Sequence, residues 1–66
     1  MKTSLDLGDS VRFVGPPYDG LTGDIIEIRR IDPTIIPTYY RYRVRLTPEY
    51  HSLQIIEAAE HHWQKI

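Results

Sequence analysis

Apolar residues recur mainly at every second position of this chain, in short runs cut by glycine and proline. The clearest run spans residues 39–46. Tyr40, Tyr42, Val44 and Leu46 alternate there with Tyr39, Arg41, Arg43 and Arg45. Strict period-two alternation predicts a strand with one face in the core and one in water. Residues 10–14 read as an earlier short strand, entered through the Gly8-Asp9 turn, with Val11 and Phe13 on its inner face. Residues 24–31 are rich in β-branched side chains and form a second strand, with Ile26 and Ile28 on one face and Glu27 and Arg29 on the other. Residues 53–58 make a fourth. Residues 57–63 hold Ala58, Ala59 and Glu60, which favour one helical turn, and residues 63–66 follow as a last short strand.

The connections carry turn chemistry. Residues 15–23 contain three glycines and two prolines. Asp19-Gly20 suits a turn with positive φ, and Gly23 suits a bulge or a close backbone approach. Pro33 and Pro37 end the second strand, because proline cannot donate to a ladder. Pro48 places a turn over residues 47–52. Short strands separated by turn signals predict an all-β fold, a small five-stranded barrel with a helical turn before the last strand. Residues 1–7 read as a loose lead-in and residues 8–66 as the barrel.

Sixty-six residues allow one domain. A domain of this size buries only about 60 % of its unfolded surface, so assembly into a homo-oligomer or docking on a partner is an expected support. Cysteine is absent, which excludes disulfides and thiolate metal sites. Residues 1–7 have no apolar run of signal-peptide type, and no stretch approaches the ~18 apolar residues of a membrane helix. The expected setting is cytoplasmic, away from membranes.

The formal net charge is −1, with 8 cationic and 9 acidic residues. Five of the eight cations lie between Arg29 and Arg45, where Asp32 is the only acid. The chain is near neutral with a positive middle. Arginine forks bind carboxylate or phosphate, and tyrosine stacks on a base or an apolar partner. The Tyr39, Arg41, Arg43, Arg45 stripe therefore admits two readings. It either pairs internally with Glu27 and Glu57 across the sheet, or presents a binding face. The negative total ranks an acidic protein ahead of nucleic acid as its partner. Ile35 and Ile36 sit between prolines in a loop and are a second contact candidate. Tyr18, beside Pro16 and Pro17, is a candidate partner-binding lip. Trp63 reads as a barrel-closing core residue.

His51, His61 and His62 do not form a metal set: adjacent histidines on a strand diverge, and zinc needs three or four convergent ligands. The segment from Gly20 to Gly23 lacks the Gly-Lys-Ser/Thr ending of a phosphate loop. There is no Ser-His-acid or Cys-His set, so an active site would have to be built between subunits. No cofactor is expected.

Gly8-Asp9-Ser10-Val11-Arg12, followed by Gly20-x-x-Gly23-x-Ile25, resembles the opening of SH3-like barrels of the KOW type. That resemblance covers residues 8–31 and implies a binding module or accessory subunit, with nucleic-acid binding as the alternative. The C-terminal half, with Ser52-Leu53-Gln54-Ile55-Ile56, Ala58-Ala59 and a closing Lys65-Ile66, is similar to the end of type II, trimethoprim-insensitive dihydrofolate reductases. Those assemble as tetramers around one pore. The similarity implies that Ser52, Gln54 and Ile55 face a pore that takes NADPH. Ile56 stands at the tyrosine position of that motif, and Phe13 stands where the first strand would supply a lysine. Both departures remove cofactor contacts. The leading expectation is a non-enzymatic SH3-like module that recognises an acidic protein through Tyr39, Arg41, Arg43 and Arg45, and through the Ile35-Ile36 loop.

Overall fold

The computed structural model describes residues 5–66. Five strands form one antiparallel sheet: β1 (Ser10–Phe13), β2 (Thr22–Ile31), β3 (Tyr39–Tyr50), β4 (Leu53–Ala59) and β5 (Trp63–Lys65). Their order is β4-β3-β2-β1-β5. A single 3-10 turn, Glu60–His62, precedes β5. The all-β architecture with a helical turn before the last strand is the one the alternation predicts. No helix among the described residues is long and apolar enough to cross a membrane.

The inner face carries the core. Val11 and Phe13 from β1, Ile25 from β2, Tyr42, Val44 and Leu46 from β3, Ile56 and Ala58 from β4, and Trp63 from β5 are all buried. Phe13 and Trp63 meet edge to face at 5.0 Å. The Trp63 indole Nε1 donates to the Ala58 carbonyl at 3.2 Å, which ties the start of β5 to the end of β4. Of the lead-in, Met1 to Ser4 lie outside the described residues. Leu5 packs in the core while Leu7 is exposed. Beyond them, the Gly8 amide donates to the Ile25 carbonyl.

Four details depart from the simple alternation. A bulge between Ile25 and Glu27 inserts one residue into β2. The phase shifts there, so Ile25 and Ile28 turn to the core and Ile26 turns out, rather than Ile26 and Ile28 sharing a face. Second, β3 runs through Thr47 and Pro48 to Tyr50, and the turn shrinks to His51 and Ser52. Pro48 is tolerated because pairing with β4 is interrupted between Arg45 and Tyr50. Third, Glu57, Ala58 and Ala59 stay in β4, held opposite Arg43, Tyr42 and Arg41, so the helical turn begins only at Glu60. Fourth, β5 ends at Lys65.

Gly23 fulfils the close-approach expectation. Here β2 lies so near β3 that a Cβ on Gly23 would overlap the Arg45 carbonyl and stand 2.7 Å from Val44 Cγ1.

Candidate functional site

The outer face of the sheet carries the arginines. Antiparallel register sets Arg43 between Glu27 of β2 and Glu57 of β4, and Arg41 between Arg29 and Ala59. The charges then pair. Arg43 Nη1 lies 3.0 Å from Glu27 Oε1, Arg41 Nε lies 2.9 Å from Glu57 Oε2, and Arg29 Nη1 lies 3.2 Å from Glu57 Oε1. Arg45 faces Asp24 and Ile55 and has no ion pair among the described residues. Among the paired outward positions of β2, β3 and β4, four arginines (29, 41, 43, 45) thus share this face with three acids (Asp24, Glu27, Glu57), leaving a surplus of one positive charge there. The stripe is largely neutralised from within the sheet.

The Arg41 hydrogen bond, helped by Arg29, holds the Glu57 carboxyl below its ordinary 4.5. The same contact raises the Arg41 guanidinium above its ordinary value. A carboxyl with a depressed folded-state pKa stabilises the fold above its unfolded value. That contribution disappears as pH falls through the folded value. The urea midpoint of the domain should therefore fall as pH drops from about 5 toward about 3. Glu57→Gln should flatten part of that slope and cost under about 1 kcal/mol at neutral pH, the range for partly exposed pairs. An unchanged slope in the variant would remove Glu57 from the acid response.

Two hollows meet beside this face. The first, about 310 Å³, lies between the loop bearing Pro16, Pro17 and Tyr18 and the end of β4 from Ile56 to Ala59. Phe13 and His62 also line it. The loop is shaped by glycines at its ends: Gly15 and Gly20 both have positive φ, and the Gly15 amide donates to Asp19 Oδ1 at 2.9 Å. Tyr18 packs edge to face on Phe13 at 5.7 Å and approaches Tyr50 at 6.5 Å. His62 stacks on Phe13 at 5.0 Å.

The second hollow, about 720 Å³, is walled by Ile36, Pro37, Thr38, Tyr39 and Glu60. Its loop is stapled at the base. Thr38 Oγ1 donates to Asp32 Oδ1 at 2.6 Å, and Arg30 Nε donates to the same oxygen at 3.1 Å. The Thr38 bond, then the Arg30 bond, lowers the Asp32 pKa. Above the staple Ile35 is 94 % exposed and Ile36 56 % exposed. Arg41, Ala59 and His61 line both hollows, so Arg41 stands where they join.

The residues singled out from the sequence are brought together only in part. Tyr18, Ile36, Tyr39 and Arg41 line the joined hollows, whereas Ile35, Arg43 and Arg45 do not. Ser52 and Gln54 are exposed and Ile55 is half-buried, and none of the three lines either hollow. His61, His62 and Ala59 line the site without having been singled out as partner-binding. Only the predicted helical turn placed them near it, since their positions depend on how β4 turns into β5. Among the described residues, no group of three or more His, Cys, Asp or Glu is placed to hold a metal ion.

Compared with protein-family models, with curated proteins and with solved structures, the chain matches none.

Proposed function

We propose that this chain is an SH3-like binding module, a non-enzymatic adaptor or accessory subunit of the cytoplasm, that recognises an acidic segment of a protein partner. The strand order β4-β3-β2-β1-β5 with one 3-10 turn before the last strand supports the SH3-like reading. The observation that carries the binding role is the placing of Arg41 where two largely apolar hollows meet. Such a site offers carbon surface on both sides and one guanidinium for a carboxylate. The internal pairing of the stripe shifts the weight from four aligned residues to this junction. It also favours a protein over nucleic acid, since a polyanion gains little from a face with one surplus charge.

A random octapeptide display selection against the folded domain should enrich sequences containing Asp or Glu. Arg41→Gln should weaken binding of a selected peptide about tenfold, the worth of one charge-assisted hydrogen bond. Because Glu57 keeps Arg29, the urea stability should change by less than about 1 kcal/mol. Equal affinity for variant and parent would sink the proposal.

A further inference from the structure

We propose that His61 and His62 form a second anion seat in this site, which takes a carboxylate of the partner segment once the pair holds a proton. This rests on the binding role just proposed and specifies what controls it.

The 3-10 turn Glu60–His62 sets both imidazoles at the joined hollows. His61 lines both hollows and His62 lines the first. His62 is held in place. Its ring stacks on Phe13 at 5.0 Å, with 12° between the planes. Its Nδ1 lies 3.2 Å from the Val14 carbonyl, and the Val14 amide donates to the His62 carbonyl at 2.8 Å. A carbonyl oxygen only accepts, so Nδ1 carries a hydrogen and donates. That leaves Nε2 as the nitrogen that gains a proton. Protonation keeps the Val14 bond and adds a donor to a ring already oriented. An aromatic face attracts a cation within about 6 Å, so Phe13 can carry the charged ring. His61 is exposed, and its ring centre is 4.1 Å from that of His62.

The charges around the pair leave room for this proton. Among the described residues, the lining of the joined hollows holds one guanidinium, Arg41, against two carboxylates, Glu57 and Glu60. Arg29 of β2 reaches Glu57 from outside the lining. The loop adds the Tyr18 phenol, β3 adds the Tyr39 phenol, and β1 adds only the uncharged Phe13. Phenols carry no charge near neutral pH. Counting Arg29, the site is neutral while both imidazoles are uncharged. One proton on the pair gives it the positive excess that an acidic segment needs.

Two imidazolium rings this close repel, so the pair takes up its protons one after the other. A carboxylate beside the pair offsets that repulsion. The partner segment thus carries two acids, one for Arg41 and one for the histidines. Histidine changes charge between about pH 5 and 8, above the ordinary range of peptide carboxylates. Glu57, held below its ordinary 4.5 by Arg41 and then Arg29, stays ionised throughout that window.

Calorimetry and NMR on the full chain, with a display-selected acidic octapeptide, test this. Binding should tighten about tenfold from about pH 7.5 to about pH 5.5, the worth of one charge-assisted hydrogen bond. The same peptide with its acids replaced by amides should lose this dependence. The imidazole C–H resonances should titrate about one pH unit higher in the complex, the reciprocal of a tenfold gain. The double variant His61→Gln, His62→Gln should bind equally at both pH values, within about twofold. His62→Gln also removes the stack on Phe13. His61→Gln alone, at an exposed position, spares the fold and should cut the gain to about threefold. Arg41-dependent binding of equal strength at both pH values would leave the binding role standing and overturn the imidazole seat. A gain that survives in the double variant would overturn it too. A selection run at both pH values that returns no acidic peptide would remove both proposals.

Discussion

Trp63→Ala is expected to abolish cooperative unfolding near room temperature. A chain of 66 residues has a total stability of about 3–10 kcal/mol, and removing a buried tryptophan costs about 3–5 kcal/mol. Trp63 is 6 % exposed and stands edge to face on Phe13. Its indole also satisfies the Ala58 carbonyl. The truncation opens a cavity beneath β1, removes that hydrogen bond, and frees the three-residue β5 from the side chain that anchors it. Trp63→Phe keeps most of the ring and loses the hydrogen bond, so it should cost nearer 1–2 kcal/mol, about the worth of that bond plus a small cavity. Far-UV circular dichroism and urea titration of both variants check this. A cooperative Trp63→Ala transition with a near-parental midpoint would show that β5 contributes little to the core.

Gly23→Ala is expected to cost about 3 kcal/mol, the upper end for overpacking against groups that cannot move aside. The added methyl overlaps the Arg45 carbonyl, which is backbone held in the longest pairing in the sheet, near its Gly23↔Leu46 end. Relief requires β2 and β3 to separate at Gly23↔Leu46 and Asp24↔Arg45. Gly20→Ala is the control. Gly20 has φ of 94°, but nothing lies within 4 Å of its Cβ position, so only backbone strain of about 1 kcal/mol applies. Urea midpoints that order the two variants the other way would mean that the β2–β3 spacing yields more easily than the backbone at the turn.

Much of the fold was legible because β3 alternates so regularly. Tyr42, Val44 and Leu46 had to share a face, and that face had to be the core. The Ile25-Ile26 pair was not legible, since two adjacent isoleucines suit either phase and only the bulge decides between them. Pro48 misled for a related reason. It marks a break in pairing, but the chain stays extended through it, and sequence does not separate those outcomes. The outer stripe was legible as a set of positions and not as a charge. Whether Glu27 and Glu57 fall beside Arg43 and Arg41 depends on the register of three strands together. The joined hollows were hardest to foresee, because they need residues 15–20, 36–39 and 59–62 to converge.

The Asp32 staple has a consequence for how such a module diversifies. Thr38 and Arg30 both close on Asp32 below the loop, while Ile35 and Ile36 project above it into solvent and onto the second hollow. Residues 33–37 are thereby insulated from the sheet. Lengthening or rewriting a loop closed at its base costs little folding free energy, so this stretch is free to drift while the barrel beneath keeps its shape, and under the proposed binding role such drift would retune which segment is accepted.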